Sequence, residues 1–382
     1  MSMKRAIHIK FNDEELSHLL SPPIIDDAVA RKASEAASSR VARMRLPPRR
    51  NPLALAWEDC CIQRIMGVGG YGAVSLVRVS KLDNRFQQSN WYALKCLRKN
   101  VYDRDKFIRA VSDLYKEAAI LTRLQHKNIV QIHGLLKQEG LKSFQEPGGY
   151  FIVMQCMKQT LDALIYKIWP RQDELPSLED RISKVVQGIS DGMKYLHDNR
   201  IIYRDLKPDN VGIDYSGNVR LLDFGTAVEL EIGQESEFGC VGSLTYMAPE
   251  VLMQRTSYLS SDVYSFAILL FQIISLKRPY GEEENQWSFS QYKHNVGTLS
   301  VRPSIPKEIE ISLKDLLLAC WHQNHKHRPT FATISQTLQQ MVSKTRNLPT
   351  VAVSKNDHSI SKLRRFFSQA HSFRGHSRHR IM

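Results

Sequence analysis

The chain has 382 residues, 42% apolar and 24% charged, with a net charge of +14. That length allows one large domain or two packed lobes plus tails, and the composition excludes a chain that is disordered throughout. No apolar run approaches the roughly 18 residues of a membrane helix. The opening "MSMKRAIHIKFNDEEL" carries three acids in succession and no apolar stretch, which argues against a secretory or transit leader.

The charge is unevenly placed. Residues 1–50 carry ten Lys/Arg against six Asp/Glu, and residues 343–382 nine against one. The stretch between is close to neutral, so no surface of the core is expected to seek nucleic acid specifically. The six cysteines form no C-x-x-C pair and no zinc-ligand spacing. They read as reduced thiols of a cytoplasmic chain, with the nucleus as the alternative.

Residues 1–56 read as a flexible basic leader, rich in Ala, Ser and Arg and stopped by "LPPRRNP". Two short runs follow, "CIQRIMG" and "AVSLVRVS", which the glycines between them join as a hairpin, and "WYALKCLRK" is a third strand. Phe107, Val111, Leu114, Ala118 and Leu121 recur at helical spacing. "IVQIHGLL" and "YFIVMQCM" are two further strands, with "KQEGLKSFQEPGG" as the loop between them. Beyond residue 158 the pattern turns helical. Ile182, Val185, Ile189, Met193 and Leu196 form one stripe, and "VYSFAILLFQII" is apolar nearly all round, as in a helix buried on every side. "LKDLLLACW" and "FATISQTLQQM" are shorter helices. The fold class is α+β: a small β-rich lobe with one key helix, about 57–157, and a larger α-helical lobe, about 158–342. A cleft between lobes is a favoured place for a ligand. Residues 343–382 read as a basic, disordered tail.

Three groups of residues carry chemistry. Gly67, Gly69 and Gly72 make G-x-G-x-x-G, followed by Val74. Without a Cβ, glycine lets backbone N–H groups approach phosphate oxygens. A plain hairpin turn would show the same glycines, but the strand that follows excludes a dinucleotide-binding βα unit, which needs a helix there. Lys95 lies in an apolar strand. Alone it could snorkel to an outer face, but Glu117 borders the apolar stripe of the next helix, and an inward Lys and Glu relieve each other's burial. In "DLKPDN", Asp205 is free to accept a proton and Asn210 offers a neutral oxygen. Asp223 ends the apolar strand "LLDFG". A hard divalent cation takes oxygens such as these together with substrate phosphates. Lys207 can neutralise a phosphoryl group in transfer. Taken alone, the six residues also fit a solvated turn with a helix-capping Asp.

Together, "GVGGYGAV", "YALK", Glu117, "YRDLKPDN", "DFG", "MAPE", "SDVYSFAILL" and "HRPTF" stand in order, and over about residues 58–342 the chain resembles the eukaryotic protein kinase family of Ser/Thr type, closest in overall pattern to its tyrosine-kinase-like group, while "YRDLKP" instead resembles cyclic-nucleotide-dependent kinases. The resemblance implies a two-lobed kinase fold and transfer of the γ-phosphate of ATP to Ser/Thr hydroxyls of protein substrates, with ATP and two Mg²⁺ ions as cofactors. It implies that Gly67, Val68, Gly69, Gly70, Gly72 and Val74 cover the phosphates, and that Lys95 holds the α- and β-phosphates and pairs with Glu117. Asp205 would accept the substrate proton, Lys207 would contact the γ-phosphate, and Asn210 and Asp223 would bind metal. Ala93 and Met154 would line the adenine pocket, with Gln155 to Met157 as hinge. Glu250 would pair with Arg328, and Asp262 would anchor the catalytic loop.

Two positions depart from the family's pattern. Tyr203 stands where most members have His, and Ser243 where Thr is usual, its hydroxyl still able to bridge Asp205 and Lys207. Thr226, immediately after "DFG", favours threonine acceptors. Arg204 beside Asp205 implies control by phosphate in the activation segment, Asp223 to Glu250, with Ser236 ahead of Ser243 and Thr245 as the acceptor for an upstream kinase or for autophosphorylation; the alternative is that the acidic run "ELEIGQESE" already supplies the charge. The tail "SKLRRFFSQAHSFRGHSRHR" mixes arginine with aromatics. It is either a plain soluble tail or a docking segment for an acidic membrane surface or acidic partner, and Ser368 lies three residues after Arg365. The competing readings of the whole are a kinase-fold scaffold without catalysis and a small-molecule phosphotransferase. Intact Lys95, Asp205 and Asp223 weigh against the first, and the "MAPE" and "HRPTF" platform against the second.

Overall fold

The computed structural model describes residues 47–68, 72–82, 91–97, 104–136, 151–171, 175–281 and 287–346, with Lys32, Glu35 and Met44 besides. Gly69, Gly70, the loop 137–150, most of the leader and the tail from 347, Ser368 included, lie outside the described residues.

The N-terminal lobe is a six-stranded sheet. Its strands in chain order are β1 (Leu53–Leu55), β2 (Cys60–Val68), β3 (Gly72–Val79), β4 (Tyr92–Leu97), β5 (Ile132–Leu136) and β6 (Phe151–Gln155), hydrogen-bonded in the order β1-β5-β6-β4-β3-β2. The β1–β5 pair is parallel and the others are antiparallel. Period-two alternation sorts the side chains to two faces. Tyr92, Leu94, Cys96, Phe151 and Val153 pack into one cluster with Leu55, Ala73 and Val77. Leu97, Ile152 and Met154 turn to the other face, where helix α1 (Arg104–Arg123) lays down Phe107, Val111, Leu114, Ala118 and Leu121. Lys95 alternates with Leu94 and Cys96 and therefore stands on the α1 side.

The C-terminal lobe is helical. Helix α2 (Gln187–Asp198) continues the helical stretch Arg181–Val186, α3 (Pro249–Gln254) starts on a proline, α4 (Leu259–Ser275) runs through the centre, and α5 (Ile311–Cys320) and α6 (Phe331–Arg346) complete it. Every residue of α4 from Ser261 to Ile273 is buried, as its all-round apolar pattern requires. Short strands carry the polar loops between these helices: β7 (Gln159–Thr160), β8 (Ile201–Ile202), β9 (Val211–Ile213), β10 (Val219–Leu221), β11 (Val228–Glu229), β12 (Ser236–Phe238) and β13 (Thr256–Tyr258). β10, β9 and β7 form one small sheet, β11 pairs β8, and β12 pairs β13.

Two boundaries differ from the sequence reading: residues 343–346, read as the start of a disordered tail, continue helix α6 to Arg346 because the helical pattern runs on past 342, and the N-terminal boundary also moves. Residues 47–55 are not a leader but part of the sheet lobe: Leu53, Ala54 and Leu55 pair with Gly134, Leu135 and Leu136, and Leu55 is fully buried. Three residues behind a proline-rich stretch show no period, and their strand partner lies some 80 residues further along the chain, so the pairing could not be read locally.

Candidate active site

Three charges meet where the two lobes join. Lys95 Nζ lies 2.6 Å from Glu117 Oε2 and 3.0 Å from Asp223 Oδ1. β4 supplies the lysine, α1 the glutamate and the turn after β10 the aspartate, so one ammonium joins both lobes. Burial works against ionising Lys95, yet Asp223 and Glu117 outweigh it and hold the ammonium's pKa well above its ordinary value. Burial pushes Glu117 up, and Lys95 only partly offsets it. Desolvation also opposes ionisation of Asp223, but the lysine wins there and keeps the carboxylate below its usual range. Asp223 leaves 44% of its side chain open to the cleft, whereas Glu117 leaves 1%. The accessible carboxylate is the one that can meet a ligand.

Asp223 sits at φ 48°, in the left-handed region that a non-glycine residue enters at a cost. Its neighbours hold it there. Phe224 N donates to Glu117 Oε1 at 3.3 Å, and the Phe224 ring is fully buried, edge-on to Tyr203 at 5.2 Å between centroids. The Tyr203 hydroxyl donates to Leu222 O. Burial raises its pKa well above the ordinary phenol value, so it remains a donor. The tyrosine that departs from the family's usual histidine thus ties its own loop to Leu222, in the turn after β10 that carries Asp223; β10 stops at Leu221, so Asp223 does not end the strand as its apolar run suggested.

The catalytic loop is held from below. Asp262, in the first turn of α4, accepts from Tyr203 N and Arg204 N, each at 2.8 Å, and lies 3.0 Å from His197 Nε2. These bonds fix Arg204 at φ 69°, a second left-handed non-glycine residue. Arg204 Nε donates to Thr226 O at 2.7 Å, and Thr226 Oγ1 to Tyr203 O at 3.1 Å. Above this support Asp205, Lys207 and Asn210 are all buried. Lys207 Nζ donates to Asp205 Oδ2 at 2.6 Å and to Ser243 Oγ at 2.8 Å, and Ser243 Oγ donates to Asp205 Oδ1 at 2.8 Å. Asn210 Nδ2 reaches both Asp205 O and Asp205 Oδ2 at 2.9 Å. With its amide nitrogen turned to Asp205, Asn210 keeps its carbonyl oxygen as the atom for a cation.

Among the described residues no three His, Cys, Asp or Glu side chains stand close enough to hold a metal by themselves. Mg²⁺ does not need such a cage. It is typically held by one or two protein oxygens plus substrate phosphates and water. An open Asp223 carboxylate and the Asn210 carbonyl fit that pattern.

The other sequence-derived positions fall as follows. Gly67 and Val68 end β2 opposite Val74 and Ala73, and Gly72 opens β3 opposite Leu97. A Cβ on Gly72 would stand 2.9 Å from Cys96 O, so the strand turn there needs glycine. Ala93 lies opposite Met154 in the β4–β6 pair, and both are buried. Gln155 ends β6 with its N–H on Gln131 O at 2.8 Å. Met157 packs over Gly212, where a Cβ would stand 2.5 Å from its Cγ. Glu250 and Arg328 form a buried two-bond pair, Nη1–Oε1 and Nη2–Oε2 both 2.8 Å, joined by Ser261 Oγ at 2.6 Å. Ser236 stands in β12 opposite Tyr258.

Sequence reasoning missed two contributors. His197 backs Asp262, but a lone histidine on a helix gives no local sign of that. Gly242 has φ +112°, and a Cβ there would collide with Arg204 O, so it lets the activation segment lie against the catalytic loop. A glycine before Ser243 was the available signal.

A sheet lobe with one helix over a helical lobe, with these residues meeting between them, is the architecture of a protein kinase. The protein kinase domain family matches residues 61–341, and the chain belongs to that family. Among curated proteins it is 27% identical over 291 residues to the serine/threonine-protein kinase CTR1 of Arabidopsis thaliana, covering 75% of this chain and 32% of that one. It is 32% identical over 271 residues to mitogen-activated protein kinase kinase kinase 5 of Homo sapiens, covering 69% and 18%. It is 28% identical over 296 residues to the dual specificity protein kinase shkA of Dictyostelium discoideum, covering 76% and 51%. The chain therefore spans about half the length of these relatives or less.

Proposed function

We propose that the protein is an ATP-dependent serine/threonine protein kinase. The observation that carries this reading is the single Lys95 ammonium bonded at once to Glu117 and Asp223, linked to the Asp205–Lys207–Asn210 cluster by Leu222 N on Asn210 O at 2.9 Å. Phosphoryl transfer depends chiefly on positioning and on charge stabilisation, and these groups supply both. Bound Mg²⁺, two ions in this reading, would neutralise the phosphate oxygens, with Asn210 and Asp223 as its protein ligands. Lys95 would orient the phosphates. Asp205 would accept the proton of the attacking hydroxyl, and Lys207 would face the phosphoryl group in transfer. The glycine segment from Gly67 to Gly72 would cover the phosphates, and Ala93, Met154, Gln155 and Met157 would flank the base.

The names of the relatives above support protein hydroxyls as acceptors: one is a serine/threonine-protein kinase and another a dual specificity protein kinase. Thr226 after the Phe-Gly pair points further to threonine over serine. A peptide pair differing only in that residue tests it, and faster turnover of the serine peptide would count against it. Ser236 is the proposed phosphate acceptor of the activation segment, for an upstream kinase or in autophosphorylation. Full activity of Ser236→Ala would exclude that site. All six cysteines carry free thiols, which supports a reducing compartment, the cytoplasm or nucleus. The basic tail is proposed to meet an acidic membrane surface or partner.

The decisive experiment is transfer of labelled γ-phosphate from ATP to generic protein substrates by the wild type and by Asp223→Ala. Labelling by the wild type and at least a hundred-fold less by the variant is expected. No labelling from the wild type would leave a nucleotide-binding scaffold instead, and equal labelling by both would show that Asp223 does not serve the transfer.

A further inference from the structure

The family match begins at residue 61, yet the chain before it is built into the sheet lobe. Arg49 N and Arg50 N both donate to Thr122 O at 2.9 Å, and Arg50 Nε donates to Leu124 O at 3.2 Å. Thr122 and Leu124 lie at the C-terminal end of α1, where the last carbonyls have no partner within the helix and a cation is favoured. From there the chain pairs with the outer edge of β5 as strand β1. Leu55 then turns into the cluster on the sheet face away from α1, and Trp57 meets the Phe151 ring edge-on at 5.8 Å. The chain enters β2, the opposite edge strand, at Cys60. One continuous segment thus holds the end of α1, closes the sheet edge and leads into the strand that carries Gly67.

The seat for this segment is specific. Leu55 lies over Gly134 of β5, where an added Cβ would overlap Leu55 Cδ1 and stand 2.9 Å from its Cγ. Leu55 is fully buried and has no open space to retreat into.

We propose that residues 49–55 are a positioning strap for α1. By capping the helix at Thr122 and Leu124, five and seven residues beyond Glu117, the strap keeps Glu117 on Lys95. Arg50 and Leu55 are its positioning residues, and Gly134 is its socket. Displacing the strap frees α1 to move and separates Glu117 from Lys95 with the rest of the fold intact. The consequence for catalysis rests on the kinase reading. The structural part does not.

The test uses the full chain. Leu55→Ala removes three carbons and Gly134→Val adds three on the facing position, so the double variant conserves volume and is tolerated where either single change is not. Amide hydrogen exchange across residues 104–123 and the kcat and KM for ATP are measured for Gly134→Val, the double variant and Arg50→Ala. Exchange of the α1 amides at least ten-fold faster in Gly134→Val and Arg50→Ala is expected, with α4 amides unchanged, KM for ATP raised several-fold, and recovery of both in the double variant. Wild-type exchange in α1 of Gly134→Val and Arg50→Ala would overturn the proposal. So would acceleration shared equally by α4, which would mark general destabilisation. A wild type that transfers no phosphate refutes the kinase reading alone, since the exchange pattern still decides the strap.

Discussion

Lys95 and Glu250 represent two kinds of buried ion pair in one molecule. The Lys95–Glu117 pair leaves its lysine 21% exposed, and the Glu250–Arg328 pair is sealed, with side-chain exposures of 4% and 0%. Removing one partner of a buried pair leaves a bare charge and costs about 3–5 kcal/mol. Lys95→Met is therefore expected to lower phosphoryl transfer at least about a hundred-fold, the scale of losing one preorganised charge-stabilising group. It should also leave Glu117, already pushed up by burial, to bind a proton. Arg328→Ala should cost about 3–5 kcal/mol in denaturant unfolding. The pH dependence of Glu250 has a definite sign. Burial opposes its ionisation, but the Arg328 bonds and charge prevail, and its pKa falls below the ordinary 4.5. A depressed carboxyl stabilises the fold fully above the unfolded value and loses that contribution as pH falls through the folded one. The stability gap between wild type and Glu250→Gln should thus be widest at neutral pH and shrink on acidification below about pH 4.5. A gap that widens toward acid would contradict this.

At the scale of elements, the catalytic loop and the activation segment are held by small groups rather than by bulk. Ser243 Oγ bridges Asp205 and Lys207, and Gly242 allows the two segments to touch. A hydrogen bond to a charged group contributes about 1.5–3 kcal/mol, so Ser243→Ala should lower kcat about ten- to a hundred-fold. Ser243→Thr keeps the hydroxyl and should remain near wild type, and equal losses in both would show that the bridge is not what matters. Gly242→Ala meets both a left-handed backbone and the Arg204 carbonyl. It should reduce activity more than Ser243→Ala, with an unfolding midpoint close to that of the wild type because the segment is peripheral to the α4 core.

For the whole molecule, the 3.0 Å bond from Lys95 to Asp223 joins the two lobes beside one continuous apolar core that runs from α1, Ile152 and Met154 into the helical lobe. A ligand that engages both lobes raises stability by mass action. Mg²⁺–ATP at a hundred-fold excess over its Kd should contribute about 2.7 kcal/mol. Asp223→Ala should abolish the magnesium-dependent part of that gain in a thermal titration. The basic tail is tested by sedimentation with anionic vesicles, where the full chain should pellet and a chain ending at residue 342 should not. Equal pelleting of the two would place the binding elsewhere.

Much of this site could be read from the chain because its chemistry sits in short contiguous runs. "DLKPDN" and "DFG" bring two aspartates, a lysine and an amide, the groups proposed as base, phosphate contact and metal ligands, into loops whose apolar flanks announce a strand or helix. The stripe on α1 likewise pointed Glu117 inward before any partner was known. What the residues determined by themselves was local: periodicity sets which face a side chain takes, and turn chemistry sets where the chain reverses. Tertiary structure alone decided the rest. That Lys95 meets Asp223 as well as Glu117, that Tyr203 reaches Leu222, and that Leu53 to Leu55 form a strand all require partners distant in the chain. Such contacts leave no period in the sequence, because they form only when folding within and between the lobes brings remote segments together.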